Sequence, residues 1–578
     1  MAAPSPKRSF IKRFTGAIGK RMQHLDNKAL SLQILLGVVV VVLSSTWYNT
    51  LTEFQAEHAR VTADIAEHKA AEQDLPPRTP SIVMAIGSII ADAGFLYSLL
   101  LRRRQSAKTR ARIFQTALWI SAFGVLVAWL PTDFAISQAE LFGKGFNGEQ
   151  PSQVAYAGKL ILIGLFVLSF PIAAWIHFRS TLLDQYVVRN FLTPFSFCLI
   201  GFVAIWLIAD LTDNAPNLVG TDMGTVLKFY VIQLPFMILF VMPVTLLLSL
   251  LYSLSQMSKS NEIITMLGAG RSMMRVLRPL FICGIYASLI CLVFKYEWAP
   301  RSEGYKKAML EQINQENAEK RRGDKKRKSL DNPWAKIAWM HVNEVDKRTW
   351  FVGRVPFDLR KREMRSLTIR QFDGEGHLVV TFRATSAKWF FGAREWRLSN
   401  GKTYTYDKDG IPRIQSWDFL TIPGWRETPW KVLSSSQNPE FLGIPGLTTY
   451  LKSNPDYDER SLAPFRTNWW YCWAEPLSCL VMVLIAAPLG IVYSRRGVLG
   501  GVAASIVIFA LIYVLSGSLV AAGQGGYLPP VVAAWGTDFI FASVGAVLLW
   551  ARARNRELPT PKALLNRWKL RKGRRAMA

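Results

Sequence analysis

Ten apolar runs, each about 20 residues long, constrain this chain more than any other feature of its sequence. An α-helix of about 20 apolar residues is long enough to cross a hydrocarbon core of about 30 Å. Half of the residues are hydrophobic and only 19% are charged, which excludes disordered polycations and soluble nucleic-acid-binding proteins. The sequence therefore predicts an α-helical polytopic membrane protein, with spans near residues 30–49, 81–101, 113–136, 157–177, 191–212, 226–255, 277–298, 468–494, 498–522 and 528–551.

The formal net charge of +28 is concentrated in short segments beside these runs. Residues 1–30, 102–112 and 552–578 together contribute +21, and short basic segments of this kind stay on the cytoplasmic side of a membrane. Residues 50–80 carry six acidic against three basic side chains and fit the opposite side. We therefore expect cytoplasmic N- and C-termini, and we expect residues 299–465 to lie outside the cytoplasm.

Residues 299–465, between the seventh and eighth runs, have the alternation and turns of short β-strands. The sequences DGEG and DKDG, at residues 373–376 and 407–410, separate β-rich stretches in the manner of hairpin turns. All five cysteines lie in or beside apolar runs, so this region has no disulfide framework. The pattern predicts an inserted extracytoplasmic all-β domain of the sandwich or jelly-roll kind.

No residue pattern in the chain predicts catalysis, a cofactor or a metal site. The nucleotide-binding pattern GxxxxGK[ST] is absent, and the nearest fragment, at residues 16–21, lacks its spacing and its hydroxyl. If the protein does energised work, we expect ATP and Mg²⁺ to bind a partner subunit. The basic run at residues 320–328 has the composition of a nucleic-acid-binding patch, but in a chain with ten spans we expect no nucleic-acid partner.

Residues 258–272, between the sixth and seventh runs, predict a short helix on the cytoplasmic side. Glu262 would lie in its first turn, Ile263 would contribute to an apolar surface, and Gly268 and Gly270 would end it. A helix of this kind either rests on the lipid surface or docks in a groove of a cytoplasmic motor subunit. The residues alone leave both interpretations open.

The segment SNEIITMLGAGRS, at residues 260–272, resembles the S-E-I-x-x-M-x-A-x-G element of the LptF/LptG permease family, the membrane subunits of the lipopolysaccharide-export ABC transporter. Further elements that resemble the family follow in its order over about residues 180–555. They are LLDQYVVRNFLTPF (182–195), the pair Pro235 and Pro243, EWAPRSEGYKKA (297–308), ATSAKW and EWRLSNG (384–400), and PLSCLVMVLIAAPLGI (476–491).

The resemblance implies three spans, a sheet domain and three further spans, preceded by a module that the family pattern does not include. The implied segments are an N-terminal four-span module of unassigned role (1–178), permease spans one to three (179–298) with a coupling helix (258–272), a periplasmic β-jelly-roll domain (299–465), permease spans four to six (466–552) and a basic cytoplasmic tail (553–578).

The resemblance also implies the location and the partners of the chain. Two such permeases, here a paralogue or a second copy of this chain, enclose a chamber in the inner membrane, and an LptB-like dimeric cytoplasmic ATPase drives its closure. Lipopolysaccharide leaves the outer leaflet of that membrane and passes to LptC/LptA-like periplasmic bridge proteins. The pattern disfavours two alternatives. A secondary transporter would show repeated broken helices, and a lipid- or glycan-modifying enzyme would need more than the isolated His341 and His377.

By resemblance, Glu262 is the main carboxylate that contacts the ATPase. The residues implied around it are Asn261, Ile263, Gly268, Gly270 and Arg271. A carboxylate at this position suits a basic groove on the partner.

A phosphorylated lipid would meet cations near the outer ends of the spans. Lys295, Arg301 and Arg466 lie there and could contact phosphates or serve as interfacial anchors. Some G-type members carry lysines at the outer end of their first permease span, where this chain has Asp210 and Asp213. That departure is compatible with an F-type partner, with a divalent cation that bridges to phosphate, or with a different lipid.

Overall fold

The structure, a computed structural model, describes residues 27–66, 79–101, 106–142, 152–218, 221–306, 309–310, 313, 334–343, 345–356, 363–390, 395–407, 410–425, 427–434, 438–455, 457–491 and 498–554. The basic residues 1–26, the run at 320–328 and nearly all of the tail 553–578 lie outside these residues. The described part of the chain forms two compact units.

Nine helices in the described residues are long and apolar enough to cross a membrane, which confirms the predicted polytopic helical class. They are Ser31–Thr52, Lys108–Ala135, Gln153–Arg179, Leu182–Leu218, Met223–Lys259, Met273–Lys306, Glu459–Gly490, Ile506–Gln524 and Pro530–Ala553. The remaining predicted span, the second in chain order, near 81–101, corresponds to a helix whose apolar part, Ile82–Ser98, is shorter.

The first unit takes in residues up to 143 together with 160–180. Its helices are α1 (Asn27–Ala66), α2 (Thr79–Ser98), α3 (Ala107–Phe142) and most of α4 (Gln153–Arg179). A Cβ atom at Gly87 of α2 would lie 2.4 Å from the backbone nitrogen of Ala128 in α3. The missing side chain therefore lets these two helices approach closely, as is usual where spans pack through small residues.

The second unit begins its helical core with three long helices and one short helix. These are α5 (Leu182–Leu218), α6 (Met223–Lys259), α7 (Glu262–Gly268) and α8 (Met273–Val293), which continues as a π-helical turn at Phe294–Trp298. Helix α6 runs through both Pro235 and Pro243 without ending.

Six strands follow α8 and form one antiparallel sheet in which each strand pairs with the next in sequence. They are β1 (Trp334–Asn343), β2 (Arg348–Pro356), β3 (Met364–Phe372), β4 (Leu378–Phe390), β5 (Glu395–Tyr406) and β6 (Pro412–Pro423). The DGEG turn joins β3 to β4, and its Asp373 accepts hydrogen bonds from the backbone nitrogens of Glu375 and His377. The predicted inserted β-sheet is thus confirmed, and its described strands form a meander.

The core of the sheet domain is a cluster of tryptophan side chains on one face. Trp389 and Trp396 face each other across β4 and β5 with ring centres 5.2 Å apart, and Trp350 lies 5.2 Å from Trp396. Trp425 and the buried Val432, after the last strand, pack against this cluster. At the edge of the sheet, most of β6 is exposed.

The chain then returns to the helical core. The elements are α9 (Pro429–Ser434), α10 (Ile444–Ser453), α11 (Glu459–Ala474), a 3₁₀ turn (Glu475–Leu477), α12 (Ser478–Gly490), α13 (Val498–Gln524) and α14 (Pro530–Ala553). Buried leucines of α6 pack with α12 in one apolar core. The thiols of Cys291 in α8 and Cys479 in α12 lie 3.5 Å apart, so the sequence halves on either side of the sheet domain share this core.

Candidate functional site

The connection between α6 and α8 is a seven-residue helix with a tight turn at each end. Asn261 precedes α7 with a φ of 59°, and Gly270 follows it with a φ of 80°. Asparagine and glycine adopt left-handed backbone conformations at lower cost than other residues, which accounts for these two residue types at the two turns. The chain can therefore reverse twice within a few residues.

One side of α7 is packed against the helical core. Ile263 is 1% exposed and Met266 is 8% exposed, and both belong to the core that contains the buried leucines of α6. Burial of these two side chains fixes the short helix on the ends of the spans. Ile263, which the resemblance implied at the partner contact, lies on this packed side.

The other side of α7 is open. Ile264 is 44% exposed, and a Cβ atom at Gly268 would meet no other atom within 4 Å. Glu262 is half-buried at the start of the helix. The exposed surface thus combines the Glu262 carboxylate, the apolar side chain of Ile264 and the uncovered backbone at Gly268.

Glu262 is held by a residue from a distant part of the sequence. The hydroxyl of Tyr186, in the second turn of α5, donates a hydrogen bond of 2.9 Å to Oε2 of Glu262. A hydrogen bond to a carboxylate is stronger than one between neutral groups, so it restricts the rotamers of the glutamate side chain. The carboxylate therefore has a defined direction.

A second contact ties the end of the segment to the same helix. Nη1 of Arg271 lies 3.6 Å from Oδ1 of Asp184, and each side chain is 26% exposed. Asp184 also accepts a hydrogen bond of 2.8 Å from the hydroxyl of Thr181. The first turns of α5 thus contact α7 at Glu262 and the following turn at Arg271.

This arrangement is suited to contact rather than to catalysis. Glu262 has a hydrogen-bond donor beside it, and no group of His, Cys, Asp or Glu side chains that could hold a metal ion occurs among the described residues. An oriented carboxylate beside an exposed apolar side chain can form a charge-assisted contact with a basic groove.

The three cations predicted to meet the lipid each lie beside a carboxylate. Nζ of Lys295 is 2.6 Å from Oε2 of Glu475 and lies over the ring of Tyr471. Its side chain is 13% exposed, so this ammonium group is largely covered.

Arg301 and Arg466 are more accessible. The side chain of Arg301 is 62% exposed and lies 2.7 Å from Glu297. The side chain of Arg466 is 44% exposed and lies 3.5 Å from Glu459. The Arg466 pair is exposed on both sides and exchanges partners at little cost. Glu297 is only 8% exposed, but it also pairs with Lys159 at 3.2 Å and so keeps a cation when Arg301 turns away.

Of the two acids that depart from the G-type pattern, Asp210 has a partner within the chain. Nζ of Lys306 lies 2.5 Å from Oδ1 of Asp210 and 5.2 Å from the centre of the Trp206 ring. Asp210 is therefore neutralised by a lysine from the helix that continues α8. This pairing accounts for an acid at this position without a bound cation.

An apolar cavity of about 410 Å³ lies between α8, α11 and α14. It is lined by Ser288, Leu289, Leu292, Trp469, Trp470, Trp473, Pro476, Leu477 and Trp535. Its walls expose almost no polar atoms, so it suits an apolar group such as an acyl chain.

Sequence reasoning missed Tyr186, Asp184 and Lys306. Each of them pairs with a residue at least 76 positions away, and such pairs cannot be read from local spacing. The first two lie in the element at residues 182–195, which was noticed only for its resemblance.

Comparison with known proteins identifies the family. No curated protein matches the chain. Residues 185–551, well over half of the sequence and all of α6 to α13, match the family described as lipopolysaccharide export system permease LptF/LptG. The chain therefore belongs to the LptF/LptG permease family.

Proposed function

We propose that this permease extracts lipopolysaccharide, or a related lipid, from the outer leaflet of the inner membrane and passes it to a periplasmic bridge. As an LptF/LptG family member it is a lipopolysaccharide export permease and not a catalytic subunit. It pairs with a paralogue or with a second copy of itself. An LptB-like cytoplasmic ATPase dimer binds ATP and Mg²⁺ and supplies the work.

The observation that carries this proposal is the two-sided character of α7. Ile263 anchors the helix in the core, whereas Glu262 and Ile264 remain available on the open side. A fixed helix with a half-buried but accessible acid is better suited to a groove in another protein than to a surface of anionic lipid, which would repel the carboxylate. This favours the docking interpretation over the interfacial one.

Neighbouring residues have distinct roles in this docking. Asn261 and Gly270 shape the turns, Gly268 leaves room for the partner to approach the backbone, and Arg271 holds the segment to Asp184. Ile263 acts indirectly, by fixing the helix from behind.

The proposed orientation follows from the position of α8 in the chain. Its span runs from Met273 to Lys306, with α7 before it and the sheet domain after it. A single span separates the two, so they lie on opposite sides of the membrane. With α7 at the cytoplasmic ATPase, the sheet domain is periplasmic, and both termini are cytoplasmic by the charge distribution.

The sheet domain offers an edge to the bridge protein. Strand β6 pairs only with β5 among the described strands, and its Ile414 and Phe419 are 59% and 70% exposed. An unpaired edge with exposed apolar side chains accepts a further strand by β-augmentation. An LptC/LptA-like sheet is the partner that we propose for this edge.

The lipid is proposed to contact both apolar and charged groups. The tryptophan-lined cavity can take an acyl chain, and the exposed Arg301 and Arg466 can exchange their carboxylate partners for phosphates. Lys295 is bound to Glu475 and would need to leave it first. We therefore expect a weaker headgroup contribution from Lys295.

Co-purification tests the proposal. The chain is isolated in mild detergent from its native membrane, and attached proteins are identified. We expect the wild type to retain an ATPase subunit and Glu262→Arg to lose it, because a cation would then face the basic groove. Added lipopolysaccharide should stimulate ATP hydrolysis by the wild-type complex.

Glu375→Arg is the matched control, since it reverses an 84% exposed acid in the β3–β4 turn. It should retain the ATPase subunit. A wild-type chain without any ATPase subunit would refute the transport proposal, and retention by Glu262→Arg would refute docking through α7.

A further inference from the structure

Two side-chain contacts link α5 to α7 and to the turn that follows it. In the sequence, α7 connects α6 to α8, and the whole of α6 separates it from α5. The hydrogen bond from Tyr186 to Glu262 and the ion pair of Asp184 with Arg271 bridge that gap. Both residues on the α5 side lie within its first two turns.

The Tyr186 hydrogen bond occupies only part of the carboxylate. Its hydroxyl donates to Oε2 of Glu262, which leaves Oε1 for a cation of a partner. A glutamate has three rotatable side-chain bonds, and an unheld side chain would lose more entropy when it docks. Tyr186 therefore presents the carboxylate in a prepared direction.

Through the same hydrogen bond, a force on Glu262 can be transmitted to α5. Helix α5 runs from Leu182 to Leu218, and near its far end Asp210 is bound to Lys306 beyond α8. A displacement of the first turn can thus be carried along a continuous helix to the end that lies toward the sheet domain. Charge pairs hold α5 near both of its ends.

We infer that Tyr186 is a positioning residue that orients Glu262 for the ATPase subunit and transmits the movement of that subunit to α5. The inference rests on the proposed function. Tyr186 acts through Glu262, so its main effect is on coupling, with a smaller effect on the affinity for the ATPase subunit.

The test uses the whole transporter in lipid vesicles that contain lipopolysaccharide. ATP hydrolysis and lipid released to a purified bridge protein are measured together, which gives lipid moved per ATP. Tyr186→Phe should retain the ATPase subunit but lower lipid moved per ATP severalfold, because Glu262 loses its hydrogen bond to α5. Tyr252→Phe, which alters a 44% exposed tyrosine of α6, should leave the ratio unchanged.

A double-mutant cycle separates coupling from general damage. If Tyr186 acts through Glu262, adding Tyr186→Phe to Glu262→Ala, which has no side-chain acceptor for the tyrosine hydroxyl, should cause no further fall. Three results would overturn the inference. Tyr186→Phe could leave lipid moved per ATP unchanged, it could lower that ratio equally with and without the Glu262 substitution, or it could lose the ATPase subunit. Absence of the ATPase from the wild type would instead refute the proposed function.

Discussion

Lys306 and Asp210 form an ion pair of 2.5 Å between residues that are 96 positions apart in the sequence. The two side chains are only 13% and 9% exposed, so neither charge is well hydrated. Each buried charge is therefore stabilised mainly by the other. The pair also joins the far end of α5 to the helix that follows α8.

Removal of one partner should destabilise the protein more than removal of both. Lys306→Met leaves the Asp210 carboxylate covered and unpaired, and we expect a loss of about 3 kcal/mol. The double variant Asp210→Asn with Lys306→Met should recover much of that loss. Thermal unfolding in detergent measures both, and equal melting temperatures for the single and double variants would contradict the expectation.

Substitution of two adjacent isoleucines of α7 should affect different properties, stability for Ile263 and docking for Ile264. Ile263→Ala opens a cavity behind the helix and should cost about 2 to 4 kcal/mol in the free energy of unfolding. Ile264→Ala removes an exposed side chain, so stability should hardly change while retention of the ATPase subunit falls. Unfolding curves and co-purification from the same preparations check this pair. The reverse result would mean that α7 docks through its other side.

The backbone at Asn261 should tolerate glycine but not a β-branched residue. Its φ of 59° is accessible to glycine, whereas valine would be strained by about 1 to 2 kcal/mol. The Asn261 side chain makes no capping hydrogen bond, so Asn261→Gly loses little. ATPase stimulation by the two variants should therefore rank glycine above valine. Equal stimulation would show that this turn is not constrained.

The sheet domain should lose stability in mild acid because of His341. Burial, with a smaller contribution from Lys431, lowers the pKa of His341 from 6.5 to about 4. Between these values the unfolded state binds a proton that the folded state excludes, so stability falls as the pH drops below about 6.5. The loss becomes complete near the folded pKa and amounts to roughly 3 kcal/mol.

Hydrogen exchange of the sheet amides in the intact protein, measured at about pH 7 and about pH 5 after correction for the intrinsic rates, checks this prediction. His341→Gln should reduce the acid-induced loss of protection. His377→Gln, which changes a 74% exposed side chain, should not. The same loss in the wild type and in His341→Gln would assign the effect to other groups.

Hydropathy and turn residues were sufficient to predict the main features of the fold. Spans such as Met223–Lys259 contain a long apolar stretch, and the turn at Asp373 carries its own hydrogen-bonding pattern. Spans and turns depend on residues that are close in the sequence, so sequence patterns are sufficient to predict them.

The details of the site depend on tertiary packing. Apolar residues occur on more than one side of α7, and the sequence does not say that Ile263 is buried while Ile264 is exposed. Nor does it pair Tyr186 with Glu262, since that pairing requires α5 and α7 to be adjacent. Spacing along a seven-residue helix carries too little information to choose its packed face.

The contact between Cys291 and Cys479 has a consequence for biosynthesis. Their thiols touch in the finished core, yet 188 positions separate them in the sequence. At about 5 to 20 residues per second, the ribosome needs on the order of 10 to 40 s to synthesise the intervening chain. During that interval α8 lies in the bilayer without α12 beside it, so lipid or an insertion chaperone must cover the surface that α12 later occupies.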